Sequence, residues 1–234
     1  MSIIKQALEN MTGVVSTRVA LEAAGIKDQT EEEIVIYAKI GNMEGLQQAS
    51  FVEQHDQAEL KSPVGKVRVR KTTRNGRNPI FDMTNKITIS VGATKKDREK
   101  TKSINEEIYN MFMEACPTFM SKTRYVFKCE QLRIKRGDME ATIKTSDLVF
   151  EVDVFTKSDG TVSEWCKIDL EIDKIKDIML ENNITVNQIK LVASISALPF
   201  EPNTIVVDSP NEKDADKRDL ISGLYKYDFL IARK

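Results

Sequence analysis

"KVRVRK", residues 66–71, alternates cations with valines. In an extended strand, side chains at i and i+2 share a face. Lys66, Arg68 and Arg70 then line one face, and Val67 and Val69 line the other. On a half-buried sheet this is ordinary: apolar face on the core, charged face in water. Pointing into a closed sheet, the same cations demand a polyanion. The fold and the function both turn on which face is inside.

The same test applies along the chain. Lys122 and Arg124 share a face, with Tyr125 opposite. Arg133 and Lys135 share one in "LRIK" (132–135). Glu151 and Asp153 share one against Val152 and Val154, and Lys167, Asp169 and Glu171 share one against Ile168 and Leu170. On alternation alone the wet-face reading is the stronger. Against it, the charges sort by strand, with bases on the earlier strands and acids on the later ones. Bases and acids converging on one lumen suit phosphoryl oxygens gripped by Arg forks and a divalent metal held by carboxylates. Charge buried at that density requires opposite charges or a ligand to pair it.

Bulk properties exclude several alternatives. Lys plus Arg is 35 against 36 Asp plus Glu, so the chain is not globally tuned for nucleic acid or an anionic membrane. No apolar run approaches the ~20 residues of a membrane helix. The N-terminal stretch lacks the apolar core of a signal peptide, so a cytoplasmic setting is expected. Cys116, Cys129 and Cys166 lack CxxC spacing, which argues against a disulfide framework or a zinc site. The single histidine, His55, reads as a surface or loop residue.

The expected elements are mostly strands: 33–40, 65–72, 80–90, 123–135, 139–145, 148–156 and 164–173. "RNGRNP" (74–79) and "KSDG" (157–160) read as turns. Helical spacing predicts residues 1–25, 103–116, 172–183 and part of 214–230 as helices, and 188–194 as a closing strand. In the second of these, Ser103 and Glu106 form a capping box. Its apolar stripe is Ile104, Ile108, Met111, Phe112 and Ala115, with Met111 as core filler. "KKDREK" (95–100) reads as a solvated loop, and Trp165 as core or rim. The whole suggests an α+β domain on antiparallel strands.

Motifs in this order resemble the CYTH superfamily, the triphosphate tunnel metalloenzymes. They are "VRVRKT" (67–72), "FDMTNK" (81–86), the helix with Glu106 and Glu107, "KTRY" (122–125), "FEVDVF" (150–155) and "IDLEID" (168–173). The superfamily includes inorganic and thiamine triphosphatases, a class of adenylate cyclase, and fungal and viral RNA triphosphatases. The resemblance spans about residues 30–175. It implies an antiparallel eight-stranded β-barrel flanked by helices, whose lumen binds a triphosphate and Mg²⁺ or Mn²⁺. The implied domains are a helical N-terminal extension (1–30), the barrel (31–200) and a C-terminal extension packed on it (201–234).

The resemblance also implies roles. Lys39, Lys66, Arg68, Arg70, Lys86, Lys122, Arg124 and Arg133 would bind phosphate. Glu151, Asp153, Asp169 and Glu171 would hold metal, with Glu151 and Asp153 catalytic. Glu107 is a candidate for the acid at the helix start. The departure lies in the first strand. The superfamily carries ExExK there, and "VIYAK" (35–39) has Val35 and Tyr37 in place of the glutamates, with Glu31 and Glu33 one step early; "QAELK" (57–61) has one Glu and one Lys at that spacing but falls where the superfamily usually has a loop.

Three functions follow as expectations. The first is metal-dependent hydrolysis of a triphosphate: inorganic, nucleoside or an RNA 5′ end. The second is a catalytically degraded tunnel that binds or sequesters a nucleotide or polyphosphate. The third is a structural or assembly protein, with partners held by residues 1–30 or the C-terminal tail. No membrane is expected as a partner, and nucleic acid beyond an RNA 5′ end carries little weight.

Overall fold

The computed structural model describes residues 25–41, 43–62, 65–91, 95–136, 139–171, 206–207 and 231–232. The helix expected at 1–25 apart from Gly25, the helix at 172–183, the part-helical 214–230 and the strand at 188–194 lie outside them. Among the described residues the strands are β1 (Ile26–Lys39), β2 (Phe51–Ser62), β3 (Gly65–Arg74), β4 (Ile80–Val91), β5 (Lys95–Ser103), β6 (Thr118–Arg136), β7 (Met139–Thr156), β8 (Val162–Glu171), β9 (Val206–Val207) and β10 (Ile231–Ala232). A 3-10 turn covers Met43–Gln48, and helix α1 runs Glu106–Ala115. No described helix is long and apolar enough to cross a membrane.

All ladders are antiparallel. The pairings run β2–β3–β4–β5–β1–β8–β7–β6, and β6 pairs again with β2, so the path returns to its start. Each of β1–β8 therefore has a hydrogen-bonded neighbour on both edges. The two short strands pair at β1 and β6: Val207 opposite Ile36, and Ile231 opposite Phe119. Residues 206–207 and 231–232 thus sit against the ring.

The "RNGRNP" turn forms as expected. Arg77 N donates to the Arg74 carbonyl, and Gly76 takes a positive φ of 72°. The "KSDG" turn closes likewise between β7 and β8, with Gly160 N donating to the Lys157 carbonyl. At the β2–β3 end, Gly65 adopts φ 153°, and a Cβ there would sit 2.3 Å from the Lys86 carbonyl oxygen.

Several expectations are corrected. The segment read as a loop at 95–100 lies in β5, polar on both faces and so without a visible period, and 57–61, which the resemblance placed at a loop, lies in β2 with Ala58 and Leu60 on one face. The two strands expected at 139–145 and 148–156 are one strand, β7, continuous through Thr145–Ser146–Asp147. β1 begins at Ile26, inside the stretch assigned to a helical extension. In α1, Asn105 rather than Ser103 is the N-cap, and its side chain accepts from Ile108 N at 2.8 Å. Ser103 is already the end of β5.

Tyr109, Phe112, Met113 and Cys116 (i, i+3, i+4, i+7) pack on Ala58 of β2, Val69 of β3, and Phe81 and Met83 of β4. Ile108 and Met111 are exposed instead. The valines of "KVRVRK" therefore face outward, with Val69 under α1. The opposite face of β3 holds Lys66, Arg68 and Arg70 and looks into the ring. Val152, Val154, Cys166, Ile168 and Ala38, on the outer face of β7, β8 and β1, are buried as well.

Gly65→Ala meets both the backbone clash and the strained φ. Its expected cost exceeds about 1 kcal/mol, read as a lower urea midpoint at unchanged m-value. An unchanged midpoint would contradict the close approach of β3 to β4.

Candidate functional site: the inner face of the strand ring

Registers fix which side chains share the inner face. Directly opposed residues point the same way, so each ladder carries the assignment to the next strand. Arg68 opposes Glu59 and Thr84, and Arg70 opposes Gln57 and Asp82. Lys86 opposes Glu99. Lys122 opposes His55, and Arg124 opposes Glu53 and Asp153. Glu151 opposes Asp169, and Asp169 opposes Val35. One continuous face, from every strand of the ring, carries these charges.

Their contacts reach over intervening strands, as side chains on a concave face do. Arg124 of β6 approaches Asp169 of β8 at 3.6 Å, across β7. Lys86 of β4 approaches Glu33 of β1 at 3.9 Å, across β5. Arg68 of β3 approaches Glu99 of β5 at 3.9 Å, across β4. Burial agrees: Asp153, Lys122, Asp97, Glu99, Asp169 and His55 are all buried.

Pairing is dense. Lys66 bonds Glu59 at 3.0 Å, Arg70 bonds Asp82 at 3.1 Å, and Lys86 bonds Glu99 at 2.6 Å and Asp97 at 2.9 Å. Arg124 donates to both oxygens of Asp153, at 2.7 and 2.9 Å, and also to Glu151. Lys122 completes the clamp on Asp153. Lys167 donates to Asp169 at 2.7 Å. The expected sorting of bases and acids by strand does not hold, since Asp82, Asp97, Glu99, Glu53 and Glu59 lie among the early strands.

Proton affinities show where pairing falls short. Burial opposes the charge of Lys86, but Glu33, Glu99 and Asp97 hold its pKa above the ordinary lysine value. Burial likewise opposes Arg124, and its carboxylates hold it well above. Three other cations are pushed down. Burial and then repulsion from Arg68 and Lys86 lower Lys66, against Glu59. Burial, Arg68 and Arg124 lower Arg70, against Asp82. Burial, Arg124 and Lys167 lower Lys122, against Asp153. In the acidic sector burial raises Glu151 and Asp169, and mutual repulsion with Asp153 adds to it. Each sector thus holds like charges that its own counter-ions do not fully satisfy.

The structure places the expected site residues as follows. Lys66, Arg68, Arg70, Lys86, Lys122 and Arg124 share the inner face with Glu151, Asp153 and Asp169. Lys39 sits at the rim, 37% exposed, 3.5 Å from Glu164 and over the Trp165 ring at 5.7 Å. Arg133 pairs with Thr142 beyond the irregularity at Cys129–Gln131, where β6 and β7 are paired, among the described residues, only with each other. Glu171 lies opposite Glu33 in the β1–β8 ladder. Glu107 is exposed in the first turn of α1, outside the ring.

Glu151, Asp153 and Asp169 are the hard oxygen donors that Mg²⁺ or Mn²⁺ prefers. Arg124 pairs with all three. Among the described residues, no group of three or more His, Cys, Asp or Glu is arranged so that it could hold a metal ion. Val35 and Tyr37 are buried at the β1 positions opposite Asp169 and Lys167, so β1 offers no carboxylate there.

Sequence reasoning missed His55, Glu53 and Gln57. His55 is 1% exposed, between Thr72 of β3 and Lys122 of β6. Its Nε2 lies 2.9 Å from Glu53, which Arg74 holds from the other side. Burial lowers the His55 pKa to about 4, with Lys122, Arg70 and Arg124 adding to the effect against Glu53. Burial would raise Glu53, but His55 and Arg74 hold it at about 2. The available signal was the alternation Glu53–His55–Gln57–Glu59, hidden because Val52 and Leu60 bracket a polar Gln54–Asp56 on the opposite face.

No model of a known protein family matches this sequence, and no curated protein matches it. Solved structures to which the chain is similar include HpAC1 from Hippeastrum, an adenylyl cyclase by name described with a dominant triphosphatase activity. Identity there is 12%, over 65% of this chain and 85% of that one, at TM-score 0.43. PH1819 from Pyrococcus horikoshii OT3 is 15% identical over 73% and 93%, at 0.41. The inorganic triphosphatase NE1496 is 15% identical over 79% and 91%, at 0.36.

A histidine depressed from 6.5 to about 4 contributes stability that is complete above pH 6.5 and lost as pH falls toward 4. The whole effect is on the order of 3 kcal/mol. Urea unfolding across that window should show a shallower pH slope for His55→Gln than for the wild type. Parallel slopes would contradict the buried neutral imidazole.

Proposed function

We propose that the inner face binds a triphosphate and hydrolyses it. The observation that carries this reading is the cation set Lys66, Arg68 and Arg70 on β3 with Lys122 and Arg124 on β6. These face one enclosed side from the two neighbours of β2. Burial and then repulsion from neighbouring cations lower Lys66, Arg70 and Lys122, and a polyanion between the strands would offset that repulsion. Guanidinium forks match phosphoryl oxygens in geometry as well as charge. Lys86 extends the set on β4.

Glu151, Asp153 and Asp169, with Glu171 as a fourth candidate, would hold Mg²⁺ or Mn²⁺. Such a cation supplies neutralisation of phosphoryl charge and polarisation of the reacting phosphate. The chain's own part is to bind and align the triphosphate through the β3 and β6 cations, within a closed ladder that limits access of water. A second reading, binding without turnover, is favoured by Val35 and Tyr37, which occupy inner positions of β1 without any carboxylate.

Tripolyphosphate or a nucleoside triphosphate, with Mg²⁺ or Mn²⁺, should release phosphate and raise the Tm. At a hundredfold excess over Kd the stabilisation is about 2.7 kcal/mol. Arg68→Ala with Arg70→Ala should abolish the Tm shift, and Glu151→Gln should suppress release. Stabilisation without release selects the second reading. A Tm that ignores tripolyphosphate, or a shift that survives loss of both arginines, overturns both.

A further inference from the structure

Two polar atoms on the inner face of β2 have no hydrogen-bond partner among the described residues: His55 Nδ1 and Gln57 Oε1. Both side chains are 1% exposed. Their partners fix what each atom is. His55 Nε2 faces the Glu53 carboxylate, which only accepts, so Nε2 carries the proton and Nδ1 presents a lone pair. Gln57 Nε2 faces Glu59 at 3.5 Å, so the amide nitrogen points there and Oε1 is the other end. Both unpartnered atoms are therefore acceptors. They lie on positions i and i+2, on the same face of the strand. A water set beside them would have an acceptor for each of its protons and keep its own lone pairs free for attack.

The position is chemically pointed. β2 runs between β3 and β6, so this pair lies among the cations assigned to the phosphates. Gln57 opposes Arg70, and His55 opposes Lys122. The charged groups facing His55 are Glu53 on its own strand, Arg70 and Arg74 on β3, and Lys122 and Arg124 on β6. Bound polyphosphate would offset those cations and raise the proton affinity of Nδ1 toward the range useful at neutral pH.

Resting on the triphosphatase reading, we propose that His55 is the general base, with Gln57 orienting the attacking water and Glu53 as a positioning residue. The water oxygen forms the new bond to the terminal phosphorus, and the bridging P–O bond breaks. The electron pair leaves with the diphosphate, and the water proton passes to Nδ1. Glu53, held by Arg74, keeps the imidazole in the tautomer with Nδ1 unprotonated. His55 later returns its proton to solvent or product.

The test compares wild type, His55→Gln and Glu53→Gln with tripolyphosphate and Mg²⁺, reading phosphate release from pH 4 to 9 and Tm with and without ligand. The expected result is a loss of roughly a hundredfold or more in kcat for His55→Gln, with ligand stabilisation kept. The acidic limb of the wild-type profile should vanish in the residual rate of that variant and move in Glu53→Gln. If His55→Gln fails to fold, the moved limb in Glu53→Gln carries the test. Release by His55→Gln within threefold of wild type, or an acidic limb unmoved in Glu53→Gln, overturns the base and leaves the triphosphatase reading standing. Wild type that is stabilised but releases no phosphate overturns the base in favour of binding alone. Wild type that neither binds nor releases overturns both.

Discussion

Removing a charged side chain from water costs several kcal/mol unless an opposite charge meets it with good geometry. A closed circuit of antiparallel ladders leaves every second side chain facing the same enclosed side. Much of this structure follows from that combination. Lys122, Arg124 and Asp153 are locked together because none can be solvated, and Lys86 is held between Asp97, Glu99 and Glu33 for the same reason. Apolar burial is shared between the two faces: outside, α1 covers Ala58 and Val69, and inside, Val35, Tyr37 and Phe155 are buried among the charges.

Such an interior is expensive as a way to hold a fold together. Well-packed apolar side chains stabilise as well or better in the place of buried ion pairs. The cost has a function when a ligand supplies what the protein alone leaves incomplete. Here the shortfall is of both signs and separated in space. Cations crowd around β2, and carboxylates crowd at the β7–β8 ladder. A phosphate chain accompanied by a divalent cation answers both at once, which neither a simple anion nor a metal alone does.

The sequence showed this unevenly. Strands with a strict apolar–charged alternation, "KVRVRK", "FEVDVF" and "CKIDLE", declared themselves, and so did the turns carried by Gly76 and Gly160. The strands β2 and β5 did not, because "EQHDQAE" and "KKDREKTK" are polar on both faces and carry no period. That silence had a consequence. Without β2 and β5, the bases and acids looked sorted by strand, and His55, Gln57, Asp97 and Glu99 were left out of the site. The end of α1 misled in a similar way. Asn105, not Ser103, caps it, and the buried face holds Tyr109 and Met113 in place of Ile108 and Met111. The place of Val35 and Tyr37 was legible, and their inward position makes the first strand the point where this chain departs most from the tunnel pattern it resembles.

The central claim is that the cations of β3 and β6 together grip a polyphosphate inside the ring. The most direct measurement is a crystal structure of the protein with tripolyphosphate. The account predicts phosphoryl oxygens within hydrogen-bond distance of Arg68 or Arg70 on one side and Lys122 or Arg124 on the other. Phosphate found only on the outer surface, with the β3 and β6 cations still paired to Asp82 and Asp153, would contradict it.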